Sequence, residues 1–473
     1  MRNIIKCLIL IVGFSLASCE GLVDGINDNP NELTPDDIAP EFFLTGAMLA
    51  NSVAQAGHMN RIAGMWSGQL EGFASLYSNI YGYSISTAES IPTWSRVYIG
   101  VITNARYIRD RAPENDLLVG VSKVLEAHAI GTLASLCGDI PYSEIRNDDI
   151  ADPKFDNQAA VFASLISLLE SAATDLSNAT SNSNLSQDIY FEGDATKWLE
   201  TANTLRARYL LQTKNYAGAY TAAQNGISSS DGTMKHIPRG VDAAAEGDKN
   251  LFWTILEGSR AGDIGTGNSH LMQMLAAGSS VSRNHAKTNE YARLHYYTID
   301  ESGGFANLGV IEQFESQPLV SYEENQLILA ESAARTVDLG TGLGHLNDLR
   351  SYLNAGGRLN ANFTDSTYMY AAFDATDFDN GGIENADGIN STRALLREII
   401  EERYVSCFGM FVPFNDSRRL RKDDGDIAVD IPLNTGTASS HPERLPYSFD
   451  ELNSNSNAPT DDPGILVKTA VNQ

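Results

Sequence analysis

An apolar stripe with the period of an α-helix recurs along this chain and constrains its fold more than any other feature. Within residues 116–137, apolar side chains follow one another at spacings of three and four, namely Leu118, Val121, Leu125, Ala129, Leu133 and Leu136. This spacing puts all of them on one face of a helix. The segment is therefore predicted to be an amphipathic helix.

The same spacing predicts several further helices. It recurs in residues 162–176, where Asp156 or Asn157 can cap the helix, and in residues 198–209, which follow Asp194. Other helices are predicted near residues 41–55, 94–111, 322–336 and 393–408. Several of these helices are neighbours joined by short polar turns, as in helical-hairpin repeats of about 34 residues. The fold class predicted from the pattern is mainly α.

Two long stretches, residues 228–309 and 354–390, lack any lasting periodicity. The first is rich in Gly, Ser and Asn, and the second in Asp, Asn, Phe and Tyr. We interpret both as irregular insertions on the helical scaffold. Loops of this length are uncommon in a compact protein unless they bind something or are disordered. The insertions are therefore where function is expected.

The N-terminus has the pattern of an exported lipoprotein. Basic residues precede an apolar run that ends in Leu16-Ala-Ser-Cys19, which is typical of a bacterial site where Cys19 is acylated and becomes the first mature residue. The alternative is an ordinary secretory signal with a chance cysteine. The segments predicted are a signal peptide at residues 1–18, a lipidated tether at 19–40 and a domain at 41–473. No later stretch is expected to be long and apolar enough to cross a membrane.

Charge narrows the class of ligand. The 473 residues include 60 acidic and 33 basic side chains, and the formal net charge is -27. Such a balance argues against nucleic acid and anionic lipid as charge-held partners, and it disfavours polyanionic substrates. Neutral glycans are compatible with this charge balance. Cys137 and Cys407 could form one disulfide, but two buried thiols are the favoured state.

The sequence contains none of the common catalytic motifs, so no enzyme activity and no cofactor are predicted. Residues 340–344, Gly-Thr-Gly-Leu-Gly, lack the lysine of a nucleotide-binding loop. Two carboxylate pairs, Glu323 with Glu324 and Glu401 with Glu402, are adjacent in sequence. Adjacent residues on a helix do not face each other, so neither pair fits the two carboxylates of a glycosidase. Both pairs are predicted to lie on solvated helix faces.

Metal binding is not expected either. Residues 377–384 begin like a calcium loop, but the twelfth position of that loop is Gly388, where a bidentate Glu is required. The histidines are scattered singly, and His128 beside its apolar stripe is predicted to be a core residue.

Aromatic residues between positions 66 and 94 give a more useful signal. They are Trp66, Phe73, Tyr77, Tyr81, Tyr83 and Trp94. Aromatic rings can stack on the apolar faces of sugar rings and line a pocket with a hydrogen-bonding rim. The alternative is that half or more of them are core residues, and Trp94 is predicted to be one of those.

Short phrases along the chain occur together in the order that one family shows. They are Asp28-Asn-Pro-Asn31, Trp94-Ser-Arg-Val-Tyr98, Cys137-Gly-Asp-Ile-Pro-Tyr-Ser-Glu144, Asp194-Ala-Thr-Lys-Trp198, Leu205-Arg-Ala-Arg208, Leu329-Ala-Glu331, Ser417-Arg-Arg419 and Pro442-Glu-Arg-Leu-Pro-Tyr447. With Cys19, they make the chain resemble the SusD/RagB family of outer-membrane lipoproteins, which bind nutrients at the cell surface beside a TonB-dependent transporter.

This resemblance implies a tetratricopeptide-like superhelix of four helix pairs, with a second irregular, loop-rich lobe that carries the ligand site. It implies an oligosaccharide or oligopeptide ligand, a SusC-like transporter as partner, a lipid anchor in the outer membrane, and no catalysis. The chain departs from the family at Pro413-Phe414, where many members carry a Trp before the Arg-Arg phrase.

The ligand site is expected among four aromatic residues in or next to irregular stretches, namely Trp66, Tyr81, Tyr83 and Trp253. The leading hypothesis is capture of an oligosaccharide and its delivery to the transporter. An envelope glycoside hydrolase or esterase, with acids converging from distant segments, is one alternative. A structural subunit of the transporter without its own ligand is the other.

Overall fold

Helices dominate the fold, as the sequence predicts. The computed structural model describes residues 38–147, 149–182, 184–241, 247–300, 307–435 and 438–473. The predicted leader, Cys19 and nearly all of the tether lie outside the described residues. The α-helices are α1 Phe42–Ala56, α2 His58–Trp66, α3 Ser75–Tyr81, α4 Ile91–Ser95, α5 Asn104–Arg111, α6 Asp116–Cys137, α7 Gln158–Asn178, α8 Ala195–Gln212, α9 Tyr216–Ala223, α10 Leu251–Trp253, α11 His270–Leu275, α12 Tyr291–Tyr297, α13 Tyr322–Thr336, α14 Leu339–Asn354, α15 Ser391–Ser406, α16 Val412–Leu420 and α17 Phe449–Ser454.

The strands are short and pair only in antiparallel twos. They are β1 Glu71–Gly72, β2 Ile140–Pro141, β3 Phe155–Asp156, β4 Met234–His236, β5 Ile264–Gly265, β6 Thr288–Asn289, β7 Gln317–Val320 and β8 Met369–Tyr370. The pairs are β1 with β5, β2 with β3, β4 with β7 and β6 with β8. Two of these pairs fasten the insertions: β1–β5 ties residues 264–265 to the loop after α2, and β6–β8 joins the two insertions to each other.

Four helical hairpins form the scaffold. The first pairs α1 with the helical run 91–111, in which the π-helical segment Arg96–Thr103 separates α4 from α5. The others are α6 with α7, α8 with α9, and α13 with α14. Each hairpin also packs on the next, through α1 with α6, α7 with α8, and α9 with α13. The fold is therefore a tetratricopeptide-like superhelix, as predicted.

The helix boundaries follow from local chemistry that the sequence shows. Asn157 caps α7 by accepting from the Ala159 N–H, and Asp194 caps α8 by accepting from Thr196 and Lys197. Gly138, at φ +89°, ends α6 with a backbone conformation that favours glycine. The predicted helices at 116–137 and 322–336 have the observed bounds of α6 and α13.

Helix α14 was not predicted, because its first turns contain the Gly-rich residues 340–344. Glycine costs about 1 kcal/mol relative to alanine inside a helix. Packing on α13 outweighs this cost: a Cβ at Gly342 would meet the Ala334 Cβ at 2.7 Å. These residues are therefore part of a helix, and Gly342 allows close contact between α13 and α14.

Two scaffold helices, α6 and α7, are long and apolar enough to cross a membrane by length and composition, each with a mean hydropathy of 1.4. The prediction that no stretch after the leader is long and apolar enough to cross a membrane is therefore wrong. In the fold, 89% of the apolar window of α6 is buried, and α7 packs on both α6 and α8. Because α6 contacts neighbours on more than one side, it needs a wide apolar surface, which explains its composition, whereas 33% of the apolar window of α7 is buried.

Three of the four glutamates in the two adjacent acidic pairs are buried, the exception being Glu401. Glu324 receives the Arg208 guanidinium, with the Arg208 Nε 2.5 Å from Glu324 Oε1. Glu402 accepts from Arg293 Nη1 at 2.6 Å. The prediction of solvated helix faces is therefore wrong for Glu324 and Glu402, and also for the buried Glu323. Their basic partners come from distant parts of the chain, which is why the local sequence does not reveal them.

The core histidine and the core tryptophan are where the sequence places them. His128 is fully buried, and its ring nitrogens lie 3.3 Å from the Asn51 Nδ2 and from an Arg208 Nη. Burial, followed by the charge of Arg208, lowers the pKa of His128 well below its usual value. Trp94 is also buried, with its ring edge-on to Tyr447.

Cys137 and Cys407 are free and buried. Burial raises the pKa of Cys137 to about 12 and that of Cys407 well above its usual value. Only the thiolate reacts with alkylating reagents. We therefore expect neither thiol to be alkylated in the native protein at neutral pH, and both to react in denaturant. Mass spectrometry assigns the label to each cysteine, and rapid labelling of either one in the native state would contradict the structure.

Candidate functional site

A cleft of about 1010 Å³ opens in the part of the chain that carries the two insertions. Its walls come from α11 and the segment after it, the loop 383–387, α15, α16 and the segment 425–431, and His441 closes one side. We call it the charged cleft. Both irregular insertions contribute residues to its walls.

Ionised side chains line the charged cleft, and acids outnumber bases among them. The acids are Glu384, Asp387, Glu401, Asp426 and Asp430, and the bases other than histidine are Arg397 and Arg421. Arg397 holds Asp387 through two hydrogen bonds of 2.8 and 2.9 Å, and Arg421 donates to Glu443. Because both arginines already have carboxylate partners, the cleft offers little net attraction to an anion.

Two histidines face the charged cleft in their neutral form at neutral pH. Burial lowers the pKa of His270, against the opposing effect of Asp430. Burial also lowers the pKa of His441, and the charge of Arg421 adds to this. A neutral imidazole has one donor and one acceptor nitrogen, which matches a sugar hydroxyl.

Two further carboxyl groups of the cleft, Glu384 and Glu401, have charged or basic neighbours. His285 Nε2 lies 2.7 Å from Glu384 Oε1. Burial raises the pKa of Glu401, and the nearby Glu384 raises it further, while Arg283 opposes both.

Within the described ranges, no three His, Cys, Asp or Glu side chains converge as metal ligands. Asp377, the first residue of the calcium-like segment, instead receives the Lys287 ammonium at 2.5 Å.

Tyr83 lies beside the charged cleft in a constrained conformation. Its backbone φ is +65°, which is uncommon for a bulky residue. Its hydroxyl accepts from the Asn434 N–H at 2.9 Å. The Asn434 side chain in turn donates to the Tyr81 carbonyl at 3.1 Å. Both tyrosines are half-buried, and Asn434 therefore fixes them together.

Gly68, in the aromatic stretch between residues 66 and 94, connects that stretch to the cleft wall. Gly68 packs against Ile431 and the Cβ of His270, both of which line the cleft. Burial raises the pKa of Tyr83, and the charge of the cleft residue Arg421 acts in the opposite direction.

The structure places Trp66 in the core rather than at the surface. Its side chain is 2% exposed, and its Nε1 donates to the Ile80 carbonyl at 2.9 Å. The ring lies edge-on to Tyr83, with centroids 6.4 Å apart, and contacts Phe414 at 6.1 Å. Trp66 therefore cannot stack on a ligand in this conformation, which corrects the expectation for this residue. The buried Trp66 ring instead packs against the Tyr83 ring from the core.

Trp253 is half-buried at the end of α10. Asn250 caps this short helix, and the Lys249 ammonium lies 4.8 Å from the centre of the Trp253 ring. In the described part of the chain, no ring contact joins Trp253 to Tyr81 or Tyr83. The four expected residues are therefore not one continuous aromatic surface. The sequence did not identify His270, His441 or Arg421, because they meet only in the folded chain.

The phrases that carried the family resemblance have structural roles. Glu331 and Arg419, from two of these phrases, form a buried ion pair. Trp198 donates from Nε1 to Asp188 at 2.7 Å, and the Tyr142 hydroxyl donates to Glu126 on α6. These phrases therefore identify the fold and not the ligand.

Comparison with known proteins agrees with the fold. The family model for SusD-like proteins, described as starch-binding and associating with the outer membrane, matches residues 30–409. No curated protein sequence matches the chain. A SusD-like protein from Bacteroides thetaiotaomicron superposes with a TM-score of 0.68 at 17% identity, covering 91% of this chain and 98% of its own.

Two other solved structures are similar. A SusD/RagB family protein from the same organism gives a TM-score of 0.66 at 20% identity, over 89% of this chain and 95% of that one. A chitin-binding SusD homologue from Flavobacterium johnsoniae gives 0.61 at 18% identity, over 92% and 97% of the two chains. At such identities the likeness shows the fold, and the family model covers most of the sequence. The chain therefore belongs to the SusD-like family of proteins associated with the outer membrane.

Proposed function

We propose that this protein is a lipid-anchored, surface-exposed binding protein that captures a neutral oligosaccharide in the charged cleft and delivers it to a SusC-like, TonB-dependent transporter. The observation that carries the proposal is a cleft of about 1010 Å³ with polar walls, beside a tyrosine held in a strained conformation. Small-molecule sites generally have volumes of about 300–1,000 Å³. The cleft is therefore large enough for more than one sugar ring.

The chemistry of the cleft favours a neutral ligand. A sugar chain offers many hydroxyl groups, each of which can donate and accept a hydrogen bond. The neutral His270 and His441, and the carboxylates Asp387 and Asp430, match such groups without requiring charge. A polyuronic acid would instead meet an acidic surface whose arginines are already paired. A chitin-binding relative and the starch-binding description of the family support a neutral glycan.

Membrane attachment and delivery rest on the N-terminal pattern. An acylated Cys19 would hold the domain at the outer membrane through a tether of about twenty residues. Confining the protein and the transporter to one membrane raises their effective concentration relative to each other. The protein is proposed to act by binding alone, with no catalytic step.

Alanine substitution at Tyr83 tests the assignment of the site. We expect Tyr83→Ala to weaken oligosaccharide binding at least about tenfold, because an aromatic face is lost. Tyr81→Ala should have a smaller effect in the same direction, and Trp253→Ala shows whether that ring reaches the ligand. Calorimetric titration with short oligomers of N-acetylglucosamine and of α-1,4-linked glucose gives the affinities.

A matched control is Tyr220→Ala, since Tyr220 lies on scaffold helix α9 with its ring against His345. This variant should bind like the wild type. Unchanged affinity in a folded Tyr83→Ala protein would remove Tyr83 from the site. Absence of any ligand for the isolated protein and for its complex with the transporter would favour a structural subunit, and release of shorter sugars would favour a glycosidase.

A further inference from the structure

A second cavity, of about 470 Å³, lies next to the charged cleft. Its walls are the end of α11, the segment around β6, the start of α12 and residues 367–369 beside β8. The pairing of Asn289 with Met369 in β6 and β8 joins the two irregular insertions at this point. We call it the Tyr291 cavity.

The lining of the Tyr291 cavity differs from that of the charged cleft. No Asp, Glu, Lys or Arg side chain is among its lining residues. Apolar surface comes from residues such as Leu275, Leu294 and Met369, and polar groups come from Asn284, Asn289 and Thr367. An apolar surface with a few convergent amide and hydroxyl groups recognises a neutral polar molecule.

Tyr291 supplies an aromatic face at the rim. Its side chain is 53% exposed. Its ring lies against the His295 ring, with centroids 4.4 Å apart and an angle of 65° between the planes. The Tyr291 N–H donates to the Asn289 side chain at 3.0 Å. The ring is therefore held by its neighbours and still open on one side.

The polar wall is fixed before any ligand arrives. The Asn284 side chain donates to the Leu275 carbonyl at 2.8 Å and accepts from the Glu290 N–H at 2.8 Å. The Thr288 hydroxyl accepts from the buried Arg350 at 2.9 Å. A wall held in this way loses little conformational entropy when a ligand binds.

The segment 274–285 separates the two cavities. Met274 and residues 280–282 line the charged cleft, whereas Leu275 and Asn284 line the Tyr291 cavity. We propose that the Tyr291 cavity is a second saccharide-binding site, which takes a neutral sugar by stacking on Tyr291 and hydrogen bonding to Asn289 and Thr367. The choice of a saccharide as ligand class rests on the proposed function, but the site is separate from the charged cleft.

Counting bound sugars tests the second site. Labelled trisaccharides of N-acetylglucosamine and of α-1,4-linked glucose are the probes, and equilibrium dialysis of the full chain counts how many bind. We expect two per wild-type protein and one per Tyr291→Ala protein, with affinity at the altered site about tenfold or more lower. Tyr291→Phe should keep two because the ring is retained, and Tyr220→Ala should also keep two.

The Tyr83→Ala variant separates this proposal from the proposed function. Loss of one sugar in Tyr83→Ala and of the other in Tyr291→Ala supports both sites. If the wild type binds one sugar, and that sugar is lost in Tyr83→Ala but kept in Tyr291→Ala, the second site is overturned and the assignment of the charged cleft stands. If sugar binding is lost in Tyr291→Ala and unchanged in Tyr83→Ala, the Tyr291 cavity is supported as a binding site and the charged cleft is not. If neither trisaccharide binds to the wild type, the second site is overturned.

Hydrogen–deuterium exchange gives an independent readout of location. Added trisaccharide should slow exchange in residues 284–297 of the Tyr83→Ala protein, where the cleft no longer contributes. The same peptides in Tyr291→Ala should exchange at the rate of the sugar-free protein. Equal exchange with and without sugar in Tyr83→Ala would overturn the second site.

Discussion

Replacing Glu331 by glutamine is expected to lower the free energy of unfolding by about 3–5 kcal/mol. Glu331 is fully buried on α13 and accepts from three guanidinium groups. Arg335 Nε and Arg419 Nη1 both lie 2.9 Å from Glu331 Oε1, and Arg403 pairs with Oε2. Glutamine preserves the shape but removes the charge, so the buried arginines lose their common counterion. Urea unfolding measures the change.

A surface ion pair provides the matched control. Glu170 is half exposed on α7, and its Oε1 lies 2.8 Å from Arg206 Nη2. Because exposed pairs are screened by water, Glu170→Gln should cost at most about 1 kcal/mol. If both variants lost a similarly small amount of unfolding free energy, the buried cluster around Glu331 would not be a strong determinant of stability.

The stability lost in Glu331→Gln should also depend on pH. Burial alone would raise the pKa of Glu331, but the charges of Arg403, Arg419 and Arg335 hold it well below its usual value. A carboxyl group whose pKa is lower in the folded state stabilises the fold above its unfolded pKa, and this contribution is lost as the pH falls through the folded pKa. The difference between wild type and variant should therefore be full at neutral pH and shrink in acid.

Replacing Gly131 by alanine is expected to cost about 3 kcal/mol, because the new methyl group has no space between α6 and α8. A Cβ at Gly131 would lie 2.1 Å from the Tyr209 hydroxyl oxygen and 2.2 Å from its Cζ. Tyr209 cannot easily move aside: its hydroxyl donates to the Ala127 carbonyl at 2.8 Å, and its ring packs on Phe162. Thermal and urea unfolding measure the loss.

Gly344→Ala is the matched control within a helix. Gly344 is exposed on α14, and a Cβ there would meet nothing within 4 Å. Since alanine is the better helix former, this substitution should stabilise the protein by up to about 1 kcal/mol. The two glycine substitutions should therefore change stability in opposite directions. Stabilisation by both would show that α6 and α8 do not approach as closely as the structure indicates.

The scaffold was predictable because its helices carry their own signals. The stripe in residues 116–137 and the caps Asn157 and Asp194 set helix positions from local sequence alone. Helix α14 escaped prediction because its glycines reflect packing on α13 and not local preference. Glu324 and Glu402 were misplaced because their arginine partners lie far away in the sequence.

The candidate site was much less predictable than the scaffold. Tyr83 could be proposed because an aromatic residue in an irregular stretch is a local signal, but Trp66 looked the same and is buried by contacts with Tyr83 and the distant Phe414. The charged cleft brings together His270, Arg421 and other residues that share no motif. Such a surface exists only after the insertions have packed on the scaffold.

Calorimetric titration of the full chain with charged and neutral sugars determines whether the protein binds a neutral glycan. We expect saturable binding of a neutral oligosaccharide built from N-acetylglucosamine or α-1,4-linked glucose, weakened at least about tenfold in Tyr83→Ala, and no binding of a polyuronic acid of equal length. Binding of the polyuronic acid in preference to both neutral sugars, or no saturable heat with either neutral sugar, would contradict the proposed function.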